Sequence, residues 1–427
     1  MGRTYRKRRR KCVRQLPTSL HSSPCFIRLT KWMKQHGWTP TCMLTPVDFY
    51  DTGRGLMTKT GIARNQVIMS IPVQLLITPA TVAKSEVGRL ISRDSGMQLL
   101  ATFLVWEKHL GHHSLWEPYL NSLPSHYSTP LYCSDEELCL LPPIFLEPIL
   151  AQREKVLQSF SDLKIVCGLK CWHCSESVDT VLRNEKLYQW AWCTVNTRCV
   201  YLNEQVASPD LKIKDNCLAL APYLDMFNHS NGAAVEVGLS AGNNYYEIRT
   251  LIPFSRHTQV FIHYGHHSNL KLYIEYGFFI SSNPHDFIPF SFEEVVNAVK
   301  VANPTEFNCS SLKTTFLEDH RLTENLSCNF DGLSFNVKAV ICVLVTDVSG
   351  KDVLAHKIYS CDFIPSEHDA ICNVGRYLIK HKILEFKNAY AIMEEKKRKG
   401  CTPSFEIATD LMLEYMNLLK TAEKTVV

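Results

Sequence analysis

At 427 residues, with 45% hydrophobic and 21% charged residues, the chain has room for two or three compact units and the balance of an ordinary globular protein. Its formal net charge of +4 is unevenly placed: Arg3, Arg6, Lys7, Arg8, Arg9, Arg10, Lys11 and Arg14 precede every acidic residue, and the chain after residue 14 sums to −4. That balance argues against a broad cationic face for nucleic acid, seventeen scattered cysteines do not make a disulfide framework, and the most apolar stretch, Val337–Val348, is too short to span a bilayer and holds Lys338 and Asp347.

Residues 1–24 read as a disordered basic tail. The run Arg-Lys-Arg-Arg-Arg-Lys at 6–11 is either a nuclear-targeting or nucleic-acid-contacting patch or simply a solvated end. No apolar run comes after it, so a secretory signal is not expected, and reduced thiols in the nucleus and cytoplasm are. Phe26, Leu29, Trp32 and Met33 have helical spacing, ending at Gly37. From Gly53 to Ile77 short β-branched runs predict strands, notably Gln66–Pro72 and Leu75–Ile77. Met97–His109 predicts an apolar helix inside a mostly helical stretch over 86–190. Strands return at Ala219–Pro222, Ala234–Val237, Tyr245–Arg249 and Val260–Tyr264. Beyond Pro284 the pattern is helical over Phe292–Val301, Asn388–Lys399 and Pro403–Leu419. The last has Thr402 as N-cap and Pro403 at N1, with one stripe through Ala408, Leu411, Met412, Tyr415 and Leu419.

Two short motifs carry chemistry. Asp225-Met226-Phe227-Asn228-His229-Ser230 sets an amide beside an imidazole, and Phe261-Ile262-His263-Tyr264-Gly265 ends an apolar run on a phenol. Together these groups donate and accept hydrogen bonds without formal charge. Upstream, Gly53-Arg54-Gly55-Leu56 offers backbone that can approach a ligand closely. The dinucleotide fingerprint GxGxxG is absent.

In order and spacing these motifs resemble those of the SET-domain protein methyltransferases. Ser114–Leu120 with Leu123-Pro124, and Glu275-Tyr276-Gly277-Phe278, are similar to the branch that includes the Rubisco large-subunit methyltransferase. The resemblance implies an α+β SET fold of short sheets in which one segment threads a loop closed by another. It also implies a SET domain over 25–282 with a helical insertion at about 86–190, and a helical substrate-binding domain over 283–427. It implies S-adenosylmethionine as cofactor, held by Gly53, Arg54, Gly55, Leu56, Thr197, Arg198, Asp225, Asn228, His229 and Tyr264. Tyr264 would be the catalytic tyrosine and Tyr276 would narrow the acceptor channel. The expected reaction is methylation of protein lysines, on a histone tail or another protein, by a monomer that binds neither membrane nor, beyond its tail, nucleic acid. Apolar Val200 and Leu224 beside the motifs favour lysine over histidine. A histidine-directed enzyme and a retired SET protein that only binds peptide are the alternatives.

Cys167, Cys171, His173 and Cys174 crowd eight residues and suggest zinc. One Cys-x-x-Cys without a second pair is an incomplete structural set, so no metal is expected. His257, His263, His266 and His267 form a second cluster, which alternating strand faces would separate.

Overall fold

The computed structural model describes residues 17–91, 95–166, 168–202, 213–214, 217–242, 244–347, 350–361 and 363–426. Most of the basic tail therefore lies outside the described residues. The chain divides into two units, one built from residues up to His126 with Val156–Gly265, the other from Tyr127–Lys155 with His266–Val427. Residues 127–155 join the second core because Phe145 and Ile149 are fully buried in it, with Phe145 stacked on Tyr415 at 5.8 Å between ring centroids.

In the first unit a five-stranded sheet runs in the order β1 (Thr18–Ser19), β2 (Leu44–Phe49), β3 (Gly53–Thr58), β10 (Gln259–Ile262) and β7 (Asn228–His229). Thr18 and Ser19 pair with Asp48 and Val47, so these residues are ordered although disorder is expected up to residue 24. A second sheet joins β4 (Val67–Pro72), β9 (Tyr245–Thr250) and β8 (Val235–Leu239), and β5 (Cys199–Tyr201) pairs with β6 (Leu218–Leu220). Leu75–Ile77 is not a strand: Val73–Leu75 forms a 3₁₀ turn and Ile77 makes one isolated bridge to Leu220. Short apolar runs do not distinguish the two by periodicity.

Two helices of this unit matter to the site. Gly96–Leu110 is buried over most of its surface, Met97 to Glu107 included. Glu185–Arg198 packs on it, begins at Asn184, whose Oδ1 accepts the Leu187 N–H at 3.0 Å, and ends on Thr197 and Arg198.

The second unit is mostly helical around Phe335–Val345, in which Val337 and every residue from Ala339 to Val345 are buried. The expected helix Asn388–Lys399 is the last third of a 35-residue helix, Pro365–Lys399, that buries Ala370, Ile371, Val374, Leu378, Ile379, Ile383, Phe386 and Met393 against this core. Pro403–Thr425 starts at its Thr402 cap, whose Oγ1 accepts the Phe405 N–H. A small sheet of β11 (Ile288–Pro289), β12 (Ser327–Asn329) and β13 (Gly332–Leu333) interrupts what the sequence pattern predicts as all-helical. No described helix is long and apolar enough to cross a membrane.

Candidate active site

The first sheet brings the three separated motifs side by side. β10 pairs antiparallel with β3, Gln259 facing Met57 and Val260 facing Leu56, and parallel with β7, Phe261 facing Asn228 and Ile262 facing His229. The tyrosine motif thus leaves the sheet between the Gly-Arg-Gly strand and the Asn-His strand.

Side chains lock these strands together. Asn228 Nδ2 donates to the carbonyls of Thr52 at 3.3 Å and Arg54 at 3.2 Å. Gly55 is required by that reach, since a Cβ there would lie 2.7 Å from Asn228 Nδ2 and 2.8 Å from Gln259 Nε2. Gly53 has φ +65°, a conformation that glycine adopts without strain. Arg54 Nη1 donates to the Ser122 carbonyl at 3.0 Å, and its charge also acts on the Asp225 carboxyl, while Leu56 is fully buried.

His229 Nδ1 accepts the Tyr264 backbone N–H at 3.1 Å, and the two rings stack at 5.2 Å with 23° between planes. An accepting Nδ1 puts the proton of the neutral imidazole on Nε2. The Tyr264 hydroxyl donates to the Phe227 carbonyl at 2.5 Å. Burial pushes this phenol up to about 12, with Arg198 opposing and Asp225 assisting, so it stays protonated at neutral pH.

The Asp225 side chain is buried and accepts from Arg198 Nη1 at 3.2 Å and from the Tyr119 hydroxyl at 3.1 Å, while Arg198 Nη1 also donates to the Asp225 carbonyl at 3.0 Å. Burial raises the Asp225 carboxyl; Arg198 and Tyr119 pull it down without cancelling the effect. Thr197 turns its hydroxyl back to the Cys193 carbonyl at 2.7 Å. Just before this segment Tyr223 adopts φ +70°, a strained setting for a tyrosine, pinned by its hydroxyl on the Leu44 carbonyl at 3.2 Å and its ring 5.1 Å from that of Trp38.

The SET-domain family model matches residues 53–265. Human SET domain-containing protein 4 is 33% identical, covering 99% of this chain and 97% of its own; the mouse protein is 36% identical over 84% and 82%. The chain belongs to the SET-domain family. Mouse actin-histidine N-methyltransferase is 30% identical over 61% of this chain and 43% of its own. Crystal structures of the Rubisco large-subunit methyltransferase SET domain share the fold. The one bound to lysine and AdoHcy has a TM-score of 0.54 at 19% identity over 95% of this chain and 91% of that one, and the one bound to methyllysine and AdoHcy has 0.56 at the same identity and coverage. The fold is the α+β SET fold with a helical C-terminal region.

In the second unit Tyr276 ends the helix Asn269–Tyr276, half-buried, with its ring 6.2 Å from those of His267 and Phe278. Gly277 caps that helix at φ +77°, where a Cβ would sit 2.6 Å from the Ser128 carbonyl carbon. Of the histidine cluster, His263 lies 5.1 Å from the His229 ring, and His266 pairs with His285 at 2.9 Å. Sequence reasoning missed Tyr119 and Gln259 as members of the SET site. Tyr119 stands in the Trp-Glu-Pro-Tyr-Leu segment that resembles the family, but nothing in that segment points to Asp225.

Proposed function

We propose that this SET-domain chain, an S-adenosylmethionine-dependent methyltransferase by family, transfers methyl groups to lysine side chains of a protein substrate. The observation that supports methyl transfer is the pair of oxygens beside the Asn-His strand, and apolar Val200 is what favours lysine as the acceptor. The neutral Tyr264 phenol rests on the Phe227 carbonyl, giving electron-rich atoms with no formal charge beside backbone held by His229. Such a set fits a methyl carried on a cation, to which oxygens make weak C–H contacts, and it offers no strong base that would compete for it.

When bound, S-adenosylmethionine supplies an electrophilic methyl on a sulfonium. The chain's own part is positioning and desolvation. A lysine ammonium with a pKa near 10.4 loses its proton to water when apolar surroundings disfavour its charge, and its lone pair then attacks in line. Tyr264 is the proposed catalytic residue, orienting donor and acceptor, and Tyr276 the proposed wall of the acceptor channel. Asn228, His229 and the Gly53–Leu56 backbone are proposed to hold the cofactor. Arg198 would contact its carboxylate, with Asp225 anchoring Arg198, and Thr197 would join that contact by turning its hydroxyl from the Cys193 carbonyl. Val200, apolar and half-buried, suits a lysine stem; Leu224, at 1% exposure, serves packing instead. The mainly helical second unit is the proposed docking domain for a histone or another protein, the chain acting as a monomer in nucleus and cytoplasm.

A histidine acceptor is the second reading, because one relative at 30% identity is an actin-histidine N-methyltransferase. The deciding experiment incubates the purified chain and its Tyr264→Phe variant with labelled S-adenosylmethionine and a cell extract, and maps label to residues. Label on lysine, lost with the variant, supports the proposal. Label on histidine transfers it to the second reading. Absence of label together with absence of cofactor binding by calorimetry rejects both.

A further inference from the structure

The loop holding Cys171 and Cys174 meets a residue from far upstream. The Sγ atoms of both cysteines and one imidazole nitrogen each of His109 and His173 lie within 4.8 Å of one another, and Cys174 Sγ is 3.3 Å from His109 Nε2. Cys167, the other cysteine of the sequence cluster, lies outside the described residues. Four donors on one point is the ligand set that the sequence alone left incomplete. We propose that His109, Cys171, His173 and Cys174 form a structural zinc site.

The chemistry and the geometry agree. Zinc bonds to thiolate sulfur at about 2.3 Å and to imidazole nitrogen at about 2.0–2.1 Å, which sets tetrahedral ligands about 3.3–3.8 Å apart. The Cys174–His109 separation is already in that range, and all four donor atoms lie within 4.8 Å of one another. Two thiolates and two neutral imidazoles cancel the dication's charge, so the site carries none to bury. His109 stands in the last turn of Gly96–Leu110, where the helix's carbonyl end favours a cation.

The loop is built to present these side chains. Lys170 bridges Ser177, the Val178 N–H donates to the Leu169 carbonyl at 3.0 Å, and Cys171 donates its N–H to Glu176 at 2.7 Å and accepts from Ser175 at 2.9 Å. Ser175 takes φ +62° to close the turn. Little apolar anchoring holds it otherwise, for Trp172 is 60% exposed and Leu169 38%. A Cys171–Cys174 disulfide would account for the two sulfurs but not for two imidazoles converging on them. Zinc would tie residues 169–177 to the Gly96–Leu110 helix, against which the helix ending in Arg198 packs.

The test is metal content, which does not depend on methyl transfer. Full-length protein expressed in zinc-supplemented medium, purified without chelator or polyhistidine tag, is expected to hold about one zinc per chain by mass spectrometry. Cys171→Ser and Cys174→Ser should each lower that at least about tenfold, and His109→Ala should weaken retention against a competing chelator. His113→Ala, whose ring lies 4.7 Å from that of His173, and Cys139→Ser, on the second unit, should retain zinc. Should the cysteine variants fail to fold, cobalt(II) added to metal-stripped wild-type protein reads the same site. Intense visible bands of tetrahedral thiolate coordination are expected. Folded wild-type protein without zinc or cobalt bands overturns the site, as does zinc that survives both cysteine substitutions. Zinc lost with His113→Ala but kept with His109→Ala overturns the ligand set.

Discussion

Gly55 and Asn228 are fitted to each other across the sheet. The missing side chain of one is the space for the amide of the other, which caps the Thr52 and Arg54 carbonyls. Gly55→Ala is expected to push Asn228 off these carbonyls, destabilising by about 1–3 kcal/mol as other overpacked sites do. Cofactor affinity should fall with it. Because the clash is shared, Gly55→Ala combined with Asn228→Ala should cost less than the two singles added. Strict additivity in denaturant melts would show that the two residues do not act as a pair.

Tyr264→Phe removes one hydroxyl and keeps the ring stacked on His229. We expect a loss of about 10²–10³ in kcat, the usual effect of deleting one positioned polar group, with cofactor affinity retained. Asn228→Ala should do the reverse and weaken cofactor binding first. The raised phenol also fixes the pH profile. Since it ionises only near 12, turnover should climb through alkaline pH as the acceptor amine deprotonates, with no fall from tyrosinate below pH 10. A descending limb between pH 8 and 10 that Tyr264→Phe abolishes would contradict the assignment.

The motifs were legible because each is local. A Gly-x-Gly, an Asn-His and a Tyr-Gly step can be read without knowing the fold, and β10 then places them in one sheet. Tyr119 was not legible in its role, because it meets Asp225 across 106 residues with no pattern linking them. His109 likewise stands 65 residues from Cys174, so a metal set visible in space is half-visible in sequence. The long helix Pro365–Lys399 shows another kind of loss. Its buried positions from Ala370 to Phe386 follow helical spacing, yet intervening Cys372, His381 and Lys382 blur the stripe. The sheet β11–β13 consists of two- and three-residue strands, too short for any alternation to appear.

Asp286 gives the second unit a pH dependence. It is 2% exposed, accepts the Asn269 N–H at 3.0 Å, and burial raises its carboxyl to about 6. A carboxyl raised above its unfolded value near 3.9 favours the fold while protonated. That contribution is complete below pH 4 and is lost as pH rises through about 6. Asp286→Asn keeps an acceptor for Asn269 and removes the ionisation. It should flatten calorimetric stability between pH 4 and 6 and gain at most about 3 kcal/mol at pH 7. An unchanged slope in the variant would exclude Asp286 as its source.

The basic run at 6–11 is proposed as a nuclear address separate from the chemistry. Deleting residues 1–14 should shift the protein toward the cytoplasm in fractionated cells and leave turnover on a short peptide nearly intact. Unaltered distribution would defeat the address, and a large loss of turnover would place those charges on the substrate.

Asp225 and Arg198 form a largely buried pair, with side-chain exposures of 4% and 18%, completed by the Tyr119 hydroxyl. Removing one member of such a pair costs more than the pair contributes, because the other charge stays in a poor solvent. Asp225→Ala should therefore destabilise the first unit by about 3–5 kcal/mol, and Tyr119→Phe by about 1 kcal/mol, one hydrogen bond. Asp225→Asn should fall between, keeping an acceptor for Tyr119 but not the charge. Tryptophan fluorescence reports this unit selectively, since Trp32, Trp38, Trp106, Trp116, Trp172, Trp190 and Trp192 all belong to it. If Arg198 also holds the cofactor carboxylate, Asp225→Ala should weaken cofactor binding beyond what partial unfolding explains, while Tyr119→Phe should barely change it. Urea melts that superimpose for wild type and Asp225→Ala would mean that the pair carries no weight in the fold. Equal cofactor affinity in the two would mean that Asp225 does not position Arg198.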